Sequence, residues 1–338
     1  MNKTPHDAIL VDGLAKSYRR RLPQEQGLSW QQRLQQRWRP AYELVPAVTA
    51  LSFAVRAGEK LAFIGPNGAG KSTTLKMLTG ILYPTAGHAT VAGLVPWQQR
   101  QALAHHIGIV FGQRSQLWAN LPVRDGLQLL GRLYGLPSAT LRARIAELAA
   151  VFALQDLLDQ QAGKLSLGQR MRAELAASLL HRPKILLLDE PTIGLDISSK
   201  TQLRAHLNQL AAAEGVTILL TSHDVGDIEE VADRVMVINH GQLVFDNSLL
   251  ALTQQFLTHK LVRLHFAAPM RGDDLQRLLP HGVALSVLDQ RSAELNIDLA
   301  AVSLPELLGR LLPQLPVQDM TIDNPPLEQM IQRIYQGG

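Results

Sequence analysis

The chain has 338 residues, long for one domain and ample for two, and 46% of them are apolar, enough to bury a substantial core. It contains no cysteine, which excludes disulfides and thiolate-held metals. Its 33 basic against 29 acidic residues leave a net charge of only +4, too little to argue for nucleic acid, and no apolar run reaches the roughly 18 residues that cross a membrane.

Met1 to Asp7 lacks the apolar region of a secretory signal, and with the missing cysteines this fits a cytoplasmic protein. Ala8–Val11 reads as a first strand. A basic insert over 19–43 then carries Arg19, Arg20, Arg21, Arg33, Arg37 and Arg39 against Glu25 and Glu43. Within it Trp30, Leu34 and Trp38 recur at i, i+4 and i+8, one stripe of a helix. Two readings fit this stripe: a surface helix facing anionic lipid or a membrane partner, or a helix packed on its own domain with a solvated basic face.

Val48–Val55 resumes a strand pattern, and Leu61–Ile64 is a short buried strand. Gly65-Pro66-Asn67-Gly68-Ala69-Gly70-Lys71-Ser72 then fills the template G-x-x-x-x-G-K-[ST], and Thr73 to Leu78 continues as a helix. Glycines let successive N–H groups point inward at a phosphate, and the helix N-terminus adds its positive end. Residues Gly65 to Thr73 are therefore assigned to a nucleoside triphosphate, with Lys71 reaching the β- and γ-phosphates and the Ser72 hydroxyl holding Mg²⁺.

Ala89–Val91 and Ile107–Phe111 read as further strands, the second ending at Gly112-Gln113. The pattern turns helical over about 115–165, a helical subdomain set into an α/β core. Gly168–His181 is an amphipathic helix, and Ile185–Leu188 an apolar run suited to a central parallel strand. Asp189 and Glu190 follow at its C-terminal end, where open α/β sheets hold ligands. Asp189 is read as a Mg²⁺ holder and Glu190 as the general base on water. Lys200–Leu210 and Asp227–Val231 are helical; Val216–Thr221, Arg234–Ile238 and Gln242–Phe245 are strands. Residues 1–250 thus alternate strand and helix, predicting a mostly parallel sheet. From 258 to 338 the order β-α-β-β-α-β predicts a small ferredoxin-like α+β domain, with Leu327–Tyr335 a closing helix.

These motifs, in this order, resemble the ATP-binding subunit of an ABC transporter, which implies a P-loop NTPase with a RecA-like core, a helical subdomain, ATP and Mg²⁺. Leu165-Ser166-Leu167-Gly168-Gln169 is similar to the signature L-S-G-G-Q. The resemblance implies that Ser166, Gly168 and Gln169 meet nucleotide bound by a second ATP-binding subunit, so that the active form is a homodimer. It implies that Gln113 senses Mg²⁺ and faces the membrane subunit, with 113–123, including Trp118 and Leu121, docking the permease. Pro191 to Asp196 resembles the D-loop, adding Asp196 to the nucleotide contacts, and His223 matches the switch histidine. Tyr18 stands where the family places an aromatic against adenine, although Tyr42 offers a competing one.

The single cassette, the short tail and the wording Pro-Thr-Ile-Gly-Leu-Asp look like the daunorubicin-type and viologen-type exporters. That implies separate integral membrane permeases of the ABC-2 type and a peripheral location on the cytoplasmic face of the plasma membrane. The alternative is a soluble ABC ATPase acting on ribosomes or DNA, but tandem cassettes and a coiled-coil interruption are missing, so no nucleic-acid partner is expected. A P-loop GTPase would need an Asn-Lys-x-Asp motif, which the chain lacks.

Overall fold

The computed structural model describes residues 7–21, 42–112, 115–255 and 259–324, together with residues 327, 330–332 and 334. The chain divides into two compact units between Asn247 and Ser248. Strands of the first unit are β1 (Asp7–Arg21), β2 (Tyr42–Arg56), β3 (Lys60–Ile64), β4 (Ala86–Val91), β5 (Ile107–Phe111), β6 (Ile185–Asp189), β7 (Thr217–Thr221), β8 (Arg234–Asn239) and β9 (Gln242–Ser248). They form a three-stranded antiparallel sheet, β2-β1-β4, and a six-stranded sheet in the order β5-β6-β7-β3-β8-β9.

Strands β5, β6, β7, β3 and β8 run parallel. Leu186, Leu187 and Leu188 of β6 are buried, as a strand covered on both faces requires. Asp189 is in register with Thr221, and Thr221 with Phe63. The C-terminal ends of β6, β7 and β3 are therefore level, so the loops that follow them emerge side by side. β8 and β9 meet through His240-Gly241, both at positive φ, the backbone a two-residue hairpin turn needs.

The first two strands are much longer than the alternation suggested. The buried residues of β1 and β2 lie at Ala8, Ile9, Val11 and Leu14 and within Val48–Val55, and pairing carries both strands on to Arg21 opposite Tyr42. From Ser17 to Arg20 the residues are exposed or half-buried, so no apolar face marks the strand in the sequence. Residues 22–41 connect the two paired ends, and the Trp30–Leu34–Trp38 stripe lies outside the described residues. Arg20 and Glu43 form an exposed ion pair at 2.8 Å across the hairpin.

One core joins the two sheets. Ile9, Val11, Leu14, Val48, Leu51 and Phe53 pack with Leu61, Phe63, Leu75, Met77 and Leu78. Phe53 and Phe63 bring their ring centres to 6.1 Å. Each such aliphatic or aromatic side chain contributes about 1.5–3 kcal/mol on burial, which holds the strand preceding the phosphate loop firmly in place. The helical part comprises Val123–Leu133, Ser138–Val151 and Leu167–Ser178. Gly131 lets Leu141 approach so closely that a Cβ there would sit 2.1 Å from Leu141 Cδ1.

The second unit begins with the helix Leu249–Gln255. Strands β10 (His259–Phe266), β11 (Val283–Asp289), β12 (Ser292–Asp298) and β13 (Val317–Asp323) form an antiparallel sheet in the order β11-β12-β10-β13. Helices Gly272–Gln276 and Leu304–Leu311 fall between β10 and β11 and between β12 and β13, giving the β-α-β-β-α-β order expected from the sequence. Val262, Leu264, Phe266, Leu295, Ile297, Leu307 and Leu311 build its separate core. Of the expected closing helix, Leu327, Met330, Ile331, Gln332 and Ile334 are helical, and its other residues lie outside the described ones.

Candidate active site

After Ile64 the chain turns through Gly65–Gly70 into the helix Lys71–Leu78. Two glycines are demanded by close approach. A Cβ on Gly65 would sit 2.3 Å from the Ile238 carbonyl oxygen, and one on Gly70 would sit 2.5 Å from that of Ala47. Gly70 also has φ +108, which L side chains rarely adopt. No side chain caps this helix, so its first N–H groups stay open toward the loop, an arrangement suited to an anion.

Lys71 is 6% exposed, and its Nζ donates to the carbonyls of Gly65 at 2.6 Å and Pro66 at 3.3 Å. Glu190 Oε1 lies 4.0 Å from the same nitrogen. Burial pulls the Lys71 pKa below its usual range, against the opposing pull of Glu190 and Asp189.

Asp189 Oδ1 accepts from Ser72 Oγ at 3.1 Å and from Thr221 Oγ1 at 2.7 Å. Glu190 sits at φ +56, a strained position for a residue with a side chain. Its N–H donates to the Thr221 carbonyl at 3.0 Å and Thr221 Oγ1 at 3.1 Å. Its carboxylate hydrogen-bonds His223 Nδ1. Lys71, Ser72, Asp189, Glu190 and His223, from three level strand ends, thus form one cluster. Thr221 belongs to it and was missed in the sequence; the only signal was a hydroxyl closing an apolar strand.

Gly112 N–H donates to the Asp189 carbonyl at 2.8 Å, and a Cβ on Gly112 would sit 2.6 Å from the Glu190 oxygen. The residue before Gln113 therefore abuts the carboxylate strand end; Gln113 itself lies outside the described residues. On the helical side, Glu174 is buried and accepts from Ser115 Oγ and from Gln116 N–H at 2.9 Å.

The signature residues are engaged elsewhere. Ser166 caps the helix Leu167–Ser178 in a capping box: Ser166 N–H donates to Gln169 Oε1 at 2.9 Å, and Gln169 N–H to Ser166 Oγ at 3.3 Å. Gly168 leaves space for Ser199, whose Oγ would lie 2.5 Å from an added Cβ. Asp196 caps the helix Ile197–Glu214 through Ser199 N–H at 2.9 Å and Oγ at 2.7 Å, and these bonds hold its carboxyl below the usual range. Capping starts that helix at Ile197, earlier than the Lys200 read from the sequence. Leu167 and Ile193 are partly exposed, and Ile197 is 84% exposed. Tyr18 and Tyr42 are both exposed, at different points of the β1–β2 hairpin.

Residues 48–193 match the family model described as ABC transporter. The ABC transporter ATP-binding protein NatA of Bacillus subtilis (strain 168) is 34% identical over 236 residues, covering 70% of this chain and 96% of that protein. The chain belongs to the ABC transporter ATP-binding proteins. Residues 258–323 of this ATP-binding protein match the model described as EvrA-like ABC transporter, C-terminal domain. The linearmycin resistance ATP-binding protein LnrL of the same Bacillus strain is 33% identical over 204 residues, covering 60% of this chain and 65% of that protein. The Nod factor export ATP-binding protein I of Burkholderia orbicola (strain AU 1054) is 35% identical over 236 residues, 69% and 77%. The ATP-binding cassette MJ0796, solved in a dimeric post-hydrolysis state with ADP and Pi, shares the fold at TM-score 0.59 and 22% identity, covering 71% of this chain and 98% of that one. As a member of this family the protein is an ATPase subunit of the P-loop class.

Proposed function

We propose that this ATPase hydrolyses ATP with Glu190 as general base and powers export through separate ABC-2-type membrane permeases, acting as a homodimer on the cytoplasmic face of the membrane. The observation that carries the reading is the placement of Glu190 between Lys71 and His223, at the mouth of a loop with uncapped helix N–H groups. Lys71 can exchange the Gly65 and Pro66 carbonyls for phosphate oxygens, and a phosphate would offset the burial that depresses its pKa. Glu190 polarises the attacking water while His223 fixes its carboxylate. Ser72 and Asp189, with Gln113, fit a hard cation by donor type, and Mg²⁺ bound there would neutralise charge on the phosphates.

Ser166, Gly168, Gln169 and Asp196 contact one another or Ser199, beside the exposed Leu167, Ile193 and Ile197, which supports their serving nucleotide held by a second subunit. Export is favoured by relatives named for resistance and export. A peripheral subunit accords with the described residues, among which no helix is long and apolar enough to cross a membrane. The test is Glu190→Gln. It should bind ATP, accumulate as an ATP-bound dimer on gel filtration, and lose at least about a hundredfold in turnover; unchanged turnover would remove Glu190 from the mechanism.

A further inference from the structure

We propose that Asp227 is a positioning residue that sets Glu190 and His223 against each other by clamping the two loops that carry them. The inference rests on the roles of Glu190 and His223 given above. Asp227 is 1% exposed on the short helix Val225–Val231. One of its oxygens, Oδ2, accepts from both Thr192 Oγ1 and Ser222 Oγ, the latter at 2.6 Å. Thr192 lies two residues after Glu190, and Ser222 lies immediately before His223. Both donors are themselves buried. A hydroxyl has a single O–H to donate, so this arrangement fixes the rotor of each and ties both loops to one atom.

The other oxygen, Oδ1, accepts from Arg204 Nε at 2.8 Å, which gives the buried carboxylate its countercharge. Arg204 is held in turn by Asp224 at 2.8 Å and Glu230 at 2.9 Å, and Lys200 pairs with Asp224. Gly226 lets the Arg204 guanidinium lie close against the chain, since a Cβ there would sit 2.6 Å from Arg204 Nη1. The clamp is therefore held by ion pairs on its far side as well.

Its purpose follows from the Glu190 backbone. A residue at φ +56 persists only where its surroundings over-determine it. Thr221 holds the N–H of Glu190. Thr192, bound to Asp227, holds the chain on the C-terminal side. The same carboxylate holds Ser222, so the spacing between the base and His223 is set through one buried atom. No pattern in the sequence links positions 192, 222 and 227.

The test is steady-state ATP hydrolysis by the full chain. Asp227→Asn should lower kcat by about tenfold to a hundredfold, the scale of a slightly misplaced catalytic group, with KM for ATP within about twofold of the original protein. Thr192→Val and Ser222→Ala should each lower kcat and combine less than additively, whereas Thr192→Ser should retain activity. Should Asp227→Asn fail to fold, Thr192→Val decides, because it removes one hydroxyl at constant shape. Original kcat in Asp227→Asn or Thr192→Val, or losses confined to melting temperature, would overturn the proposal. A dead Glu190→Gln beside a fully active Asp227→Asn overturns only this inference; a fully active Glu190→Gln overturns the functional reading beneath it.

Discussion

The phosphate loop and the signature segment are two halves of one proposed catalytic machine, yet they are built on opposite plans. The loop is finished within a single chain: backbone carbonyls of Ala47 and Ile238 press on Gly70 and Gly65, and Lys71 is already buried among groups of its own subunit. The signature segment is finished only locally. Its polar groups satisfy one another through caps, while Leu167 and Ile197 are left facing outward. A half-site with satisfied polar groups and exposed apolar ones is stable alone and gains by being covered. On the proposed reading the difference implies that nucleotide capture would be a property of one chain and nucleotide cleavage a property of the pair.

The sharpest way to break this comparison is at Gly70. Gly70→Ala should lose ATP binding and about 2–4 kcal/mol of stability, since it meets both a positive φ and the Ala47 carbonyl. Equilibrium denaturation and nucleotide titration check both; a protein that tolerates the change would show the loop to be adaptable rather than prebuilt. Next comes Ile197→Asp on the other half. Its side chain is exposed, so stability should stay within about 0.5 kcal/mol and single-chain ATP binding should persist. ATP-dependent dimerisation and hydrolysis should fall by at least about tenfold. Dimers that form normally would place the partner on another surface.

The smallest effect concerns the ground beneath the signature helix. His181 follows that helix, stacks on Tyr134 with ring centres 3.9 Å apart, and contacts the Ile107 carbonyl at 3.0 Å. Burial, only partly offset by that carbonyl, lowers its pKa from 6.5 to about 4. Because the folded value lies below the unfolded one, its contribution is complete above pH 6.5 and is lost as pH falls toward 4. His181→Gln should flatten the fall of the unfolding free energy over that window, by on the order of 1 kcal/mol at pH 5. Identical pH profiles for the two proteins would show that the ring titrates freely.

Much of the catalytic unit was legible because its signals are local. Ile185–Leu188 and Leu61–Ile64 are short apolar runs bounded by polar residues, and strands β6 and β3 extend each by one residue. The Gly65–Ser72 template carries its own chemistry. The outer strands were half-read, because Lys16 to Arg20 pair with β2 without burying a face. Thr221 and Asp227 were missed for a different reason. Their roles come from contacts between positions 5 to 35 residues apart, which neither periodicity nor motif spacing encodes.

The β1–β2 hairpin fixes where the basic insert leaves and rejoins the sheet. Arg21 and Tyr42 are register partners, so the segment between them departs and returns at a single doorway in the sheet. Lengthening a connection between fixed ends costs only a logarithmic amount of loop entropy, about 0.6 kcal/mol per doubling. On loop entropy alone, a longer or shorter connection between these two fixed ends would therefore change stability by little.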